Sequence, residues 1–148
     1  MSFHTIIAVR SCRSPDTLAH YARDLAHDEV RACVAENLST SVETLMTLAR
    51  DTVSYVRRNV ANNTSTPPEA LAQLSRDGDH YVRWSVAANP STHPEILTEL
   101  ARDEIPSIKW YVANNPSAPL ELLLILVVDD SRVVREEAEV ALNRRLRP

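Results

Sequence analysis

Residues 81–97 read "YVRWSVAANPSTHPEIL", and residues 55–71 read "YVRRNVANNTSTPPEAL". Outward from this pair, the phrase recurs as "EVRACVAEN" over 29–37 and as "SIKWYVANNPSAPLELL" over 107–123. Its lead residue falls at Val30, Val56, Val82, Ile108 and Val134, 26 positions apart each time. The stretch "FHTIIAVRSCRSP" over 3–15 overlays "VRWSVAANPSTHP" over 82–94, with one extra residue before Val30. Self-similarity at a fixed period of this size marks a stacked-repeat architecture, in which no unit alone covers its apolar face. The sequence divides into repeats starting near residues 3, 30, 56, 82 and 108, with a capping half-repeat over 131–148, and is expected to form a single repeat domain over 1–148.

Each repeat contains two helical signals. Its second half places a threonine three residues before a glutamate at Thr40/Glu43, Thr66/Glu69 and Thr92/Glu95, the spacing of a capping box. Pro67, Pro68, Pro94 and Pro119 sit in the first turn, where a missing N–H is tolerated. Leucines follow in pairs three apart: Leu45/Leu48, Leu71/Leu74, Leu97/Leu100 and Leu123/Leu126. These features predict helices near 41–50, 67–76, 93–102 and 119–129. The first half carries Val56/Val60, Val82/Val86 and Ile108/Val112 at i and i+4, one face of a helix. It predicts helices near 29–36, 55–62, 81–88 and 107–114. Each ends at Asn37, Asn63, Asn89 or Asn115, a residue type that accepts the left-handed conformation of a helix end, and Pro90 and Pro116 then stop the helix. With Gly78 the only glycine and little β-branched alternation, the class is all-α, and the last helix is expected over Ser131–Arg147.

Two charged columns run through the repeats. Aspartates at 24, 51, 77, 103 and 129 are each followed by a base, at Arg31, Arg57, Arg83, Lys109 and Arg135. Stacking places each carboxylate within reach of a base of its own or an adjacent repeat, so this column is expected to be a structural ladder. Arg23, Arg50, Arg76 and Arg102 form a second, solvated column. The bases outside both columns are Arg10, Arg13, Arg58, Arg132, Arg144, Arg145 and Arg147, and the net charge is −4. That balance disfavours a nucleic-acid surface, which needs a concentrated basic face.

Other function classes find little support. Cys12 and Cys33 make neither a disulfide framework nor a ligand set, and His4, His20, His27, His80 and His93 show no metal-site spacing. A lone glycine rules out a phosphate-binding loop. No catalytic residue, metal or cofactor is therefore expected. The longest apolar run, "LLLILVV" over 122–128, falls far short of the roughly 20 residues a membrane span needs. Without a secretory signal, a cytoplasmic location is the expectation.

The registered pattern "LARDxxxYVRxxVAxNPxTPxEIL" resembles the leucine-rich repeat variant family over about residues 3–143, and the Asp-to-Arg spacing is similar to that of HEAT-like repeats. The resemblance implies a right-handed superhelix, an α-solenoid of paired short helices alternating α with 3₁₀ or short α. A family member carries a cysteine-bound iron–sulfur cluster, which two cysteines cannot hold, so that cofactor does not transfer. HEAT-like relatives include enzymes that cradle duplex DNA, which keeps a nucleic-acid-binding solenoid as the alternative function.

The first function to test is a protein or peptide interaction module. On the Val/Val helix, positions one before and two, three and six after the lead residue share about 100° of arc, at 100° per residue, and there the chain varies most. They hold Tyr55, Arg58, Asn59 and Asn62, then Tyr81, Trp84, Ser85 and Ala88, then Ser107, Trp110, Tyr111 and Asn114. Tyr55, Arg58, Asn59, Tyr81, Trp84, Trp110, Tyr111 and Asn114 are the expected partner-binding residues, of types enriched at interface hot spots. The alternative is that these aromatics pack on the neighbouring helix row. Leu124 and Ile125 stand where earlier repeats hold Met46/Thr47, Ala72/Gln73 and Thr98/Glu99. Either the last helix covers them, or they form a patch for self-association.

Overall fold

The structure is a computed structural model that describes residues 3–147. Met1, Ser2 and Pro148, which the expected domain includes, lie outside the described residues. Among those described, eleven α-helices and no strands occur: α1 (Phe3–Ser11), α2 (Pro15–Tyr21), α3 (Asp28–Glu36), α4 (Val42–Leu48), α5 (Ser54–Asn62), α6 (Pro68–Leu74), α7 (His80–Ala88), α8 (Pro94–Leu100), α9 (Pro106–Asn114), α10 (Leu120–Leu126) and α11 (Arg132–Leu146). The odd-numbered helices pack side by side in sequence, α1 on α3 through to α9 on α11. The short even-numbered helices pack mainly against this row. The architecture is a helical-repeat solenoid, and its second row is short α rather than 3₁₀ among the described residues.

The leucine pairs supply the core between the rows. Leu45, Leu71, Leu97 and Leu123 are wholly buried, as are Val30, Val56, Val82, Ile108 and Val134. Each repeat thus buries its apolar stripe against its neighbours, which is why the period of the sequence is the period of the fold. The short helices end two or three residues before the expected boundary. Their last turn tightens to i→i+3 hydrogen bonds, such as Arg50 N–H to Thr47 O at 3.1 Å and Asp51 N–H to Leu48 O at 3.0 Å. This turn delivers the aspartate column to the ladder.

Two sets of side chains tie repeat to repeat, and a third joins the two halves of each repeat. In the first, Arg31 pairs with Asp51 at 2.6 Å, Arg57 with Asp77 at 2.7 Å, Arg83 with Asp103 at 2.7 Å and Lys109 with Asp129 at 2.6 Å. Each aspartate also accepts a backbone N–H two residues on, as Asp77 does from Asp79 at 2.9 Å. Each arginine further donates to the backbone of the preceding aspartate, as Arg57 Nη1 does to Asp51 O at 2.7 Å. Burial raises the Asp77 carboxyl, but hydrogen bonds from Arg57 and the Asp79 N–H outweigh it and hold the group below the usual carboxylate range. The same balance lowers Asp51, Asp103 and Asp129.

The second set corrects the reading of the asparagines. They do not adopt a left-handed helix end: Asn63 and Asn89 are extended, at φ −73° and −70°, and no described residue has positive φ. Asn89 Nδ2 instead donates to Ala61 O at 2.7 Å and Asn63 O at 3.1 Å in the preceding repeat. Its Oδ1 accepts the Ser91 N–H at 2.8 Å. Asn63 and Asn115 repeat the arrangement, and Asn37 does so with Val9 O and Cys12 O.

The third set corrects the capping boxes. Thr40, Thr66 and Thr92 do not cap the following helix; their hydroxyls donate at 2.6 Å to Val34 O, Val60 O and Val86 O at the end of the preceding one. The caps proper are Ser41, Pro67, His93 and Pro119, and of these the Ser41 hydroxyl accepts the Thr44 N–H. In the last repeat the threonine position is Ala118 and the next asparagine position is Ala141. Arg145 of α11 supplies one of the missing asparagine bonds, donating to Asn115 O at 2.7 Å, and adds bonds to Ala118 O and to Pro116 O at 3.1 Å.

Candidate partner-binding face

With the valine, leucine, threonine, asparagine and aspartate–arginine columns occupied by packing and ladders, the remaining face of the odd-numbered row comprises the lead −1, +2 and +6 positions. Arg58 and Asn114 are exposed there, Tyr81 is 55 % exposed, and Trp84 and Trp110 are half-buried. The +3 position lies at the edge of the expected arc and turns towards the preceding helix. Cys33 and Ser85 are buried there, and Asn59 Nδ2 donates back to Ala32 O at 3.2 Å. Of this column only Tyr111 is large enough to span the gap. Its ring lies 4.7 Å from Trp84 of the preceding repeat and 4.8 Å from Trp110, edge-to-face with both. Contacts of this geometry add about 0.5–1.5 kcal/mol beyond burial. The alternative of packed aromatics is therefore partly realised: Tyr55, Trp84 and Tyr111 lean on the core while keeping an exposed surface.

The expected residues divide into neighbouring groups. Arg58, Tyr81 and Trp84 line one groove of about 550 Å³, together with His80, Ile105 and Ser107. His80 stacks on Tyr81 with ring centroids 4.1 Å apart. Tyr55 and Asn59 line a second depression, of about 240 Å³, beside Arg10, Cys33 and Glu36. Burial and a hydrogen bond to the Asp28 carboxylate push the Tyr55 phenol up to about 12. Asn114 accepts from Arg144 Nη1 at 3.4 Å. Sequence reasoning missed His80 and Ile105 because both precede their lead residues by more than the single position considered. The structure makes His80 the first residue of α7 and Ile105 the N-cap of α9, and no signal in the sequence pointed to either.

Leu124 and Ile125 are 59 % and 63 % exposed, so α11 does not cover them. Leu120 and Val128 extend the apolar stripe along α10 and the turn after it. Among the described residues no group of three or more His, Cys, Asp or Glu side chains could hold a metal ion, and Cys12 and Cys33 are unpaired. No helix of the described residues is long and apolar enough to cross a membrane.

The model of the leucine rich repeat variant family matches residues 56–79, the stretch from Val56 through the Arg57–Asp77 rung. Among solved structures, a leucine-rich repeat variant described as having a novel repetitive protein structural motif superposes with a TM-score of 0.72 at 26 % identity. The match covers 93 % of this chain and 54 % of that one, so the chain spans about half the length of the structure it resembles. No curated protein matches in sequence. The chain is thus a helical repeat protein that is similar in repeat sequence and in fold to the leucine-rich repeat variant.

Proposed function

We propose that this helical-repeat solenoid is a cytoplasmic, non-catalytic interaction module that binds a protein or peptide partner through the aromatic face centred on Trp84 and Trp110. One observation carries the reading: the fold already uses the columns that repeat, and the column it leaves open at +2 holds Arg58, Trp84 and Trp110 in successive repeats. Tryptophan, tyrosine and arginine supply much of the binding energy at interfaces. Their clustering on one face, with Arg58 exposed and Trp84 and Trp110 only half-buried, supports recognition. The lowered carboxylates of Asp51, Asp77, Asp103 and Asp129 are ladder rungs, and those of Asp24, Asp28 and Asp79 are held by hydrogen bonds involving His27, Tyr55 and Ser54. Perturbed groups at a catalytic site would instead converge on a cleft.

The test compares capture of partners by the full chain with capture by a Trp84→Ala/Trp110→Ala variant whose circular dichroism matches the wild type. The variant is expected to lose specific partners that the wild type retains. Equal retention refutes the assignment. A salt titration against duplex DNA tests the nucleic-acid alternative, since phosphate neutralisation gives a steep negative slope; on the present reading binding is absent or slope-free.

A further inference from the structure

The groove beside Trp84 has a distinctive charge pattern. Its lining of Arg58, His80, Tyr81, Trp84, Ile105 and Ser107 joins an apolar and aromatic surface to two basic side chains, with no carboxylate. The acids adjacent in sequence are Asp79, which interacts electrostatically with His80, and Glu104; neither lines the groove or pairs with Arg58. The Asp79 carboxylate accepts the Tyr81 backbone N–H at 2.8 Å and a hydrogen bond from Ser54. Glu104 acts on Arg83, on the ladder side. Arg58, by contrast, is exposed and makes no hydrogen bond, ion pair or ring contact among the described residues. The arginine one position earlier, Arg57, is locked to Asp77.

We infer that this groove takes an acidic peptide segment, seating a large apolar side chain against Tyr81, Trp84 and Ile105 while a flanking carboxylate pairs with Arg58. This rests on the proposed interaction-module function and specifies its ligand chemistry. The planar guanidinium can receive a carboxylate bidentately. A basic segment would meet like charge at Arg58 and find no acid in the lining to offset it. The net charge of −4 opposes acidic ligands at long range. Screening within about 8 Å at physiological ionic strength leaves the local Arg58 contact to decide.

The test titrates isotope-labelled full chain with the capped tripeptides Ac-Glu-Phe-Glu-NH₂, Ac-Gln-Phe-Gln-NH₂ and Ac-Lys-Phe-Lys-NH₂. The Trp84 indole N–H signal, identified by its loss in Trp84→Phe, serves as the reporter. The expected result is a saturable shift for all three, with the glutamate peptide about fivefold tighter than the glutamine peptide, as one exposed ion pair gives, and the lysine peptide weakest. Arg58→Gln should erase the glutamate preference while leaving the amide spectrum dispersed as in the wild type. Equal titration by all three peptides, or tightest binding by the lysine peptide, overturns the acidic assignment and leaves the interaction face standing. A glutamate peptide that does not move Trp84 overturns it as well. The face itself falls only if the double-tryptophan variant keeps its partners.

Discussion

Replacing Asn89 tests what holds one repeat on the next. Its side chain, 3 % exposed, makes bonds of 2.7 Å to Ala61 O, 3.1 Å to Asn63 O and 2.8 Å from Ser91 N–H. At a net contribution of about 1 kcal/mol each, Asn89→Ala should cost about 3 kcal/mol. Much of that cost comes from the carbonyl of wholly buried Ala61 losing this donor, since Asn63 O keeps the Thr66 N–H. Asn89→Gly discriminates between explanations. If asparagine served as a left-handed helix end, glycine would equal or improve on it. With φ at −70° and ψ at 121°, glycine instead loses the same bonds and adds roughly 0.5–1 kcal/mol of backbone entropy cost. The assay is urea unfolding read by both far-ultraviolet circular dichroism and tryptophan fluorescence. Repeat arrays can unfold in parts, so coincident transitions are needed before a single free energy is quoted. Asn62→Ala, one residue before the Asn63 rung, exposed and without a side-chain hydrogen bond, is the control and should stay within about 0.5 kcal/mol. Wild-type stability in Asn89→Gly would refute the ladder.

The aspartate rungs make stability pH-dependent on the acid side. Asp51, Asp77, Asp103 and Asp129 are held below their ordinary values in the fold, so their contribution is complete above the unfolded value of about 3.9 and is lost as pH falls through the folded values. Urea midpoints should hold steady from pH 7 to 5 and drop below about pH 4, and Asp77→Asn should start lower and show a shallower acid limb. Arg145→Ala uncaps Ala118, Asn115 and Pro116 and should cost about 1.5–3 kcal/mol, as hydrogen bonds from a charged donor do. Hydrogen exchange should show the loss concentrated in α9–α11, and uniform deprotection would contradict the capping role. Self-association through Leu124 and Ile125 would make the wild type concentration-dependent in light scattering and Leu124→Glu monomeric. A wild type of monomer mass at every concentration sinks that idea.

The fold was legible because the residues that stack repeats must recur at the repeat period. The lead valines and leucine pairs announced both rows, and the aspartate–arginine spacing announced a ladder that the structure closes between repeats, as at Arg31 and Asp51. Two assignments failed for a shared reason. Thr92 and Asn89 carry side chains with strong local habits, as cap and helix end, and local reasoning followed those habits. In the solenoid their polar atoms meet carbonyls near the ends of other helices: Val86 O six residues back and Ala61 O a full repeat away. Burial makes satisfying those carbonyls worth more than a local cap. Arg145 was opaque for the same reason, since its partners lie in a turn that helical periodicity does not place beside α11.

The candidate face was legible only as a departure from repetition, and the structure narrows it. The +3 column shares the arc of Trp84 and Trp110, yet meets the preceding helix. Ser85 and Cys33 therefore vanish into the interface, Asn59 is held by Ala32 O, and Tyr111 alone crosses to touch both tryptophans. Variation in that column reflects how each pair of repeats fills its seam. At the lead −1 and +2 positions no such constraint operates on Arg58 or Tyr81, both exposed, and there variation is free to encode recognition. A substitution series separates the two kinds of position. Tyr111→Ala should loosen the α7–α9 seam and lower the urea midpoint, whereas Arg58→Gln should leave the midpoint unchanged and alter ligand preference alone.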